Sequence, residues 1–204
     1  SVDNERFRSY YKENIHKNSL LRQELGLNVD HKIILYSGKY IEKKRPLDLL
    51  KAFHLLGDDN STLVMLGEGE LRQEMEKYIL ANKMKNVLLT GFVNQSEVSK
   101  YYLISDVFVM CSGKGETWGL SVNEAMNFHL PIIVSETCGS AHDLVKEGAN
   151  GFSFHEGNIN DLTHSIKEIL RNEKKRKQMG EASSEIIESY SYSTCVRELV
   201  RNAI

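Results

Sequence analysis

The chain has 204 residues, of which 41% are hydrophobic and 26% charged, and its formal net charge at pH 7 is -2. This composition is typical of a globular domain with a sizeable core, and the near-neutral charge argues against a nucleic-acid-binding protein. Cysteines occur at three distant positions without a C-x-x-C spacing, so neither a disulfide framework nor a zinc cluster is indicated: Cys111, Cys138 and Cys195. No apolar run approaches the roughly 18 residues that span a bilayer.

The predicted elements begin with a short helix over Leu20–Leu25, which ends at Gly26 because glycine commonly terminates helices. Short apolar runs then predict buried strands at Ile33–Ser37, Thr62–Leu66, Val87–Thr90, Val107–Met110, Ile132–Val134 and Phe152–Phe154. These runs are continuously apolar rather than alternating, as expected for a parallel sheet that is covered on both faces.

Helical periodicity separates the strands, as in Leu49, Ala52, Phe53 and Leu56. This alternation predicts an α/β fold with a Rossmann-like, doubly wound parallel sheet of about six strands. Beyond Leu170 no further strand is indicated. Two amphipathic segments predict helices packed outside the sheet, at Glu173–Tyr190 and Thr194–Ala203. We therefore divide the chain into a linker with a short helix (1–31), a Rossmann-like domain (32–172) and C-terminal helices (173–204).

Ligands of open α/β sheets bind beyond the carboxyl ends of the strands, so the loops that follow each strand are the candidate site. In the first loop, Gly38 permits a turn and the cations Lys39 and Lys44 favour an anion such as a diphosphate. A solvated basic loop is the alternative interpretation of these two lysines.

The fourth of these loops, Cys111–Gly119, leads into a helix that we expect to start near Trp118. The first amides of that helix, at Gly119 and Leu120, lack intrahelical acceptors and lie at the positive end of the helix dipole. Gly119 has no side chain to obstruct a phosphate, so the sequence predicts an anion-binding site here.

Two carboxylates, Glu116 and Glu124, are separated by seven residues around this helix start. They border one pocket only if Glu116 lies in the loop and Glu124 in the first turns of the helix. Carboxylates in that arrangement accept hydrogen bonds from sugar or ribose hydroxyls. Simple stabilisation of the helix dipole is the alternative role for Glu124.

Several competing motifs are incomplete or missing. Gly67-Glu68-Gly69 starts like a dinucleotide fingerprint, but Arg72 stands where the third glycine belongs. The sequence contains no phosphate-binding G-x-x-x-x-G-K-[ST] motif, no H-E-x-x-H zinc motif and no D-x-D pair that would clamp a metal-bound diphosphate.

At this point the sequence resembles a known family. Glu116 and Glu124, in the form Glu-Thr-Trp-Gly-Leu-Ser-Val-Asn-Glu-Ala-Met, match the E-x7-E motif of group 1 (family 4) retaining glycosyltransferases. Further matches to the same family follow in chain order: Asp3 and Phe7, Gly38-Lys39 with Lys44, Gly67-Glu68-Gly69, Gly91-Phe92-Val93, Pro131–Val134 with Gly139, and Gly148 with Gly151-Phe152. The resemblance implies the nucleotide-sugar-binding domain of a two-domain, metal-independent GT-B enzyme.

The resemblance also implies roles for individual residues. Lys39 and Lys44 would bind the donor diphosphate, and Glu116 would contact the transferred sugar. The remaining donor-binding positions are Gly38 and Gly67 in the first two loops, the backbone at Phe92 and Val93 for the base, Trp118, the amides of Gly119 and Leu120 for the distal phosphate, and Glu124 for the ribose hydroxyls. No cofactor or metal is implied; the donor would be a UDP- or GDP-hexose.

For the whole enzyme, the resemblance implies hexosyl transfer to a hydroxyl acceptor in cell-surface polysaccharide or glycolipid synthesis. It also implies a cytoplasmic location, with contact at the inner face of the membrane. We expect an acceptor-binding domain to precede Ser1, and the chain alone to bind nucleotide without turnover. The alternatives are a sugar-nucleotide epimerase, another GT-B-like enzyme, or a non-catalytic nucleotide-binding module.

Overall fold

The computed structural model describes residues 2–202, apart from the side chains of residues 195, 198 and 202; the predicted helical position Ala203 therefore lies outside the described residues. Six parallel strands form one sheet in the order β3-β2-β1-β4-β5-β6. Their bounds are Lys32–Ser37 (β1), Ser61–Leu66 (β2), Val87–Leu89 (β3), Val107–Met110 (β4), Ile132–Ser135 (β5) and Gly151–Phe154 (β6). The predicted Rossmann-like sheet is confirmed.

Helices cover both faces of this sheet and both ends of the chain. They are Asn4–Asn14 (α1), Asn18–Glu24 (α2), Pro46–Leu56 (α3), Arg72–Ala81 (α4), Val98–Leu103 (α5), Leu120–Met126 (α6), Ala141–Leu144 (α7), Ile159–Leu170 (α8), Glu173–Glu188 (α9) and Tyr192–Asn202 (α10). None of the helices within residues 2–202 combines the length and the apolar character that crossing a membrane requires.

The strands are apolar throughout because successive side chains enter two different cores. In β1, Ile33 and Leu35 belong to one core, whereas Ile34 and Tyr36 belong to the other. All four side chains are buried. Each fully buried aliphatic side chain contributes roughly 1.5–3 kcal/mol relative to an exposed one, so neither face of the strand tolerates polar substitution.

The first helix lies in the segment that the sequence indicated as a linker. Asp3 caps α1 by accepting a hydrogen bond from the backbone N–H of Arg6 at 3.0 Å. Phe7 is buried and packs edge-on against Tyr102 and Phe128, at ring-centroid distances of 6.5 and 5.9 Å. The residues around this aromatic anchor are mostly polar, so the helix has little hydrophobic patterning although it is packed on the core.

A buried ionic cluster ties the helices at both chain ends to the sheet. Asp106, directly before β4, contacts Arg22 of α2 at 3.0 Å and Arg176 of α9 at 3.3 Å. The same carboxylate accepts the backbone N–H of Ile33 at 2.9 Å. The cluster lies at the amino-terminal edge of the sheet, opposite the loops of the candidate site, and so its role is structural.

Candidate nucleotide-binding site

The loops that follow β1 and β4 meet at the carboxyl edge of the sheet. There Lys44 Nζ donates a hydrogen bond to Glu116 Oε2 within an ion pair, and the backbone N–H of Gly113 donates to the carbonyl of Lys43 at 2.8 Å. Burial alone would raise the pKa of Glu116, but the hydrogen bond and charge of Lys44, with the charge of Lys43, outweigh it and hold that pKa below its usual range. Glu116 is therefore ionised at neutral pH and orients Lys44.

The other predicted residues of the first loop are arranged differently. The side chain of Lys39 is exposed, and no ion pair of this lysine occurs among the described residues. Gly38 follows β1 without a left-handed backbone; the left-handed residue of this loop is Arg45, with φ 48°. Only Lys44 of the two predicted cations is thus fixed against another site residue.

The second and third loops are joined through Gly67 and Gly91. The backbone N–H of Gly67 donates to the carbonyl of Gly91 at 3.0 Å. Gly67 has φ 142°, and a methyl group there would overlap the carbonyl oxygen of Gly38, so the first three loops approach one another closely. Beside this junction, Phe92 is 79% exposed and Val93 is half-buried against the core.

The fourth loop passes into α6 at Gly119, which adopts a left-handed conformation with φ 86°. The helix begins at Leu120, close to the predicted start at Trp118. Among the described residues, no protein acceptor takes the backbone N–H of Gly119 or Leu120. The sequence predicted that these amides lack acceptors within the helix, and in this arrangement they can donate to a ligand.

The fifth loop holds the fourth in place from the other side. The backbone N–H of Gly139 donates to the carbonyl of Glu116 at 3.0 Å, and that of Ser140 donates to the carbonyl of Trp118 at 3.1 Å. A methyl group on Gly139 would overlap the carbonyl oxygen of Thr117. This contact explains a glycine at position 139, because any side chain there would push the loop that carries Glu116.

Glu124 lies in the second turn of α6, and Glu116 lies in the preceding loop, as the motif required. The carboxylate of Glu124 accepts hydrogen bonds from Tyr102 Oη at 2.8 Å and from Gln95 Nε2 at 3.2 Å. Burial raises its pKa, although the hydrogen bonds from Tyr102 and Gln95 oppose that shift. The two glutamates are thus held by different elements: Glu116 by the first loop, and Glu124 by the third loop and α5. Tyr102 on α5 had no distinguishing pattern in the sequence.

Trp118, near the end of the fourth loop, is half-buried and packs against the core. Its indole N–H donates to Asn123 Oδ1 at 2.7 Å, and its ring lies 5.9 Å from that of Tyr190. Asn123 is fully buried, and its Nδ2 group has no hydrogen-bond partner within the described part of the chain. The side chain of Trp118 therefore supports the loop by packing.

Potential metal ligands and thiols form neither a metal-binding cluster nor a disulfide among the described residues. Within residues 2–202, the structure places no group of three or more His, Cys, Asp or Glu side chains in a metal-binding arrangement. Cys111 and Cys138 are buried free thiols, and the side chain of Cys195 lies outside the described residues.

The family model described as glycosyl transferases group 1 matches residues 17–186. The chain belongs to this family. It is 30% identical over 179 residues to spore coat protein SA of Bacillus subtilis, covering 83% of this chain and 47% of that protein. It is 33% identical over 140 residues to alpha-monoglucosyldiacylglycerol synthase of Acholeplasma laidlawii, covering 67% and 34% respectively. The chain thus spans half or less of these relatives.

Solved structures show the same fold. The Anabaena protein HepE, crystallised with UDP, superposes with a TM-score of 0.86 at 20% identity, covering all of this chain and 55% of that one. The C-terminal domain of the Francisella tularensis group 1 protein LpcC superposes with a TM-score of 0.77 at 17% identity, covering 86% of this chain and 93% of that one.

Proposed function

We propose that this chain forms the donor site of a retaining, metal-independent glycosyltransferase that moves a hexosyl unit from a nucleotide-diphosphate sugar to a hydroxyl acceptor. The observation that carries the proposal is the pairing of Lys44 with Glu116 in the loop that leads to the amides of Gly119 and Leu120, for which the described residues offer no acceptor. Glu124 lies in the second turn of the helix that these amides begin. Membership of the glycosyltransferase family supports it.

In this proposal the diphosphate lies between the first loop and the start of α6. Lys44, together with the exposed Lys39, supplies positive charge, and the two free amides donate hydrogen bonds to the distal phosphate. Negative charge that develops on the leaving diphosphate is stabilised there by hydrogen-bond donors that are already in place once the donor sugar nucleotide is bound. As Lys44 turns to the phosphate, Glu116 becomes available to accept a hydrogen bond from the sugar.

The nucleoside extends towards the third loop. Glu124, positioned by Tyr102 and Gln95, accepts hydrogen bonds from the ribose hydroxyls, and the backbone at Phe92 and Val93 contacts the base. The acceptor hydroxyl attacks on the face from which the diphosphate leaves, so the anomeric configuration is retained. A product of inverted configuration would contradict this part of the proposal. The acceptor belongs to cell-surface polysaccharide or glycolipid synthesis.

The donor site is tested by calorimetric titration of the chain with UDP, GDP and ADP in EDTA. UDP is the first choice because it is bound in the HepE crystals. We expect saturable binding of one nucleotide. Glu124→Ala should lower the affinity for that nucleotide by about 10- to 100-fold, which corresponds to the free energy of a hydrogen bond to a charged group. Glu181→Ala, which removes an exposed carboxylate on α9, is the matched control and leaves the affinity unchanged.

Each alternative has its own outcome in this titration or in a companion measurement. No binding of any of the three nucleotides, in EDTA or with Mg²⁺ in its place, would refute the donor site. Binding that is unaffected by Glu124→Ala would favour a nucleotide-binding module in which the glutamate serves the helix alone. Binding seen with Mg²⁺ but not in EDTA would contradict metal independence. In a separate assay, conversion of a nucleotide sugar without an acceptor would identify an epimerase.

A further inference from the structure

Arg45 adopts a backbone conformation that is unusual for its residue type. Its φ and ψ of 48° and 45° are left-handed, and it is the N-cap residue of α3 directly after Lys44. A left-handed conformation costs an L-residue with a side chain roughly 1–2 kcal/mol, and arginine lacks the local side-chain hydrogen bonds that favour asparagine there. Glycine would adopt this conformation freely and is also an acceptable N-cap. Arginine thus occupies this position at a cost in backbone energy, which contacts of its side chain can offset.

The guanidinium of Arg45 extends across the edge of the site to Glu156, in the loop after β6. Its Nε meets Asp48 Oδ2 at 2.6 Å, and its Nη1 meets Glu156 Oε1 at 3.4 Å. Two glycines leave room for this crossing. A methyl group on Gly157 would lie 2.7 Å from Arg45 Nη2, and one on Gly113 would lie 3.2 Å from Arg45 Cδ.

Glu156 in turn connects two further loops. Its Oε2 accepts the backbone N–H of Lys114 at 3.0 Å and the hydroxyl of Thr137 at 2.8 Å. Position 114 is two residues before Glu116. Four of the loops at the carboxyl edge, those after β1, β4, β5 and β6, therefore meet at one carboxylate next to the Lys44–Glu116 ion pair.

We propose that Arg45 and Glu156 are positioning residues that hold the loop after β4 against the loop after β1, and thereby set the affinity for the donor diphosphate. Neither residue need touch the donor. Without the pair, the glycine-containing segment 112–116 retains the Gly113 bond to Lys43 and the contacts of the fifth loop, but its middle is free to lift. The loop would then hold the amides of Gly119 and Leu120, which donate to the distal phosphate, less firmly against Lys44. This inference rests on the proposed donor site.

The test compares Arg45→Gly, Glu156→Ala and Glu156→Gln with Glu173→Gln, which removes an exposed ion-paired carboxylate at the start of α9. Hydrogen exchange of the peptide covering 112–118 is measured in the free chain, alongside thermal unfolding and titration with UDP. Arg45→Gly is the decisive variant, because glycine relieves the left-handed strain while it removes the side chain. We expect its melting temperature to be unchanged or higher.

For Arg45→Gly and Glu156→Ala, we expect exchange in segment 112–118 to quicken and UDP affinity to fall by about tenfold, the worth of one charge-assisted hydrogen bond. Glu156→Gln keeps an acceptor oxygen for Lys114 and Thr137, so its exchange rate and its UDP affinity should lie between those of the wild type and those of Glu156→Ala. Glu173→Gln should match the wild type in both measurements.

Unchanged exchange in Arg45→Gly and Glu156→Ala would overturn the inference, whatever the titration gives. A fall in melting temperature of Arg45→Gly with unchanged UDP affinity would overturn it as well, because the arginine would then serve stability alone. If exchange quickens but the wild type itself binds no nucleotide, the proposed function fails, and the link between the pair and donor affinity fails with it.

Discussion

Asp106→Asn is expected to destabilise the chain by about 3–5 kcal/mol, the cost of removing one member of a buried ionic cluster. Asp106 is the shared partner of Arg22 and Arg176, whose side chains are only 10% and 7% exposed. A neutral amide would leave two buried guanidinium groups without a counter-charge. Urea unfolding followed by circular dichroism measures the change as a shift in midpoint at constant slope.

Two further variants separate this effect from a general loss of packing. Glu188→Gln removes an exposed ion pair with Arg8 and should cost less than about 1 kcal/mol. Adding Arg176→Met to Asp106→Asn removes one uncompensated cation and should restore part of the lost stability. If Asp106→Asn lowers the free energy of unfolding by less than about 1 kcal/mol, water or movement of the helices must solvate the two arginines in place of the lost carboxylate. That result would contradict their buried arrangement.

The sheet could be predicted because its physical determinants are local. Each strand is an apolar run such as Val107–Met110, and each observed strand differs from its predicted bounds by at most one residue at an end. Once the strands alternate with helices, the parallel order places Lys44 and Glu116 at one edge. Their shared position at this edge followed from the topology, whereas their ion pair is known only from the structure.

What the sequence did not indicate depends on tertiary packing. Helix α1 is anchored by Phe7 among mostly polar residues, so its periodicity is weak until Phe128 and Tyr102 are placed beside it. Tyr102 meets Glu124 from another helix, a contact that no spacing along the chain encodes. Glu156 lies in one of the loops that follow a strand, which the sequence predicted as the candidate site, but its partners come from three other loops.

Lys44→Met is expected to weaken UDP binding by about 10- to 100-fold, since a phosphate loses a charge-assisted hydrogen bond from the lysine. Methionine preserves much of the apolar stem, and the ammonium group is the part removed. The measurement is calorimetric titration with UDP in EDTA. Lys77→Met, on the helix that follows the second loop, is a control for the general loss of one positive charge and should leave the affinity within about twofold.

The ion pair also predicts a pH dependence of stability. The pKa of Glu116 in the folded chain is lower than usual, so the ionised pair stabilises the fold above the ordinary glutamate pKa of about 4.3. That contribution is lost as the pH falls through the lowered folded pKa. The difference in unfolding free energy between the wild type and Glu116→Gln should therefore be constant near neutral pH and shrink below about pH 4. A difference that grows on acidification would contradict the assigned shift.

Glu116→Gln should affect ligand binding in the opposite direction to Lys44→Met. In the free chain the carboxylate of Glu116 holds Lys44, and it would repel a diphosphate that approaches the same lysine. Its neutralisation should leave UDP affinity unchanged or higher, while the preference for UDP-glucose over UDP should decrease because the sugar loses an acceptor. When Glu116→Gln is combined with Lys44→Met, it should raise UDP affinity less than it does in the wild-type background, because no lysine remains to be released. Equal losses of UDP affinity in both single variants would mean that Glu116 orients Lys44 for the phosphate instead of competing with it.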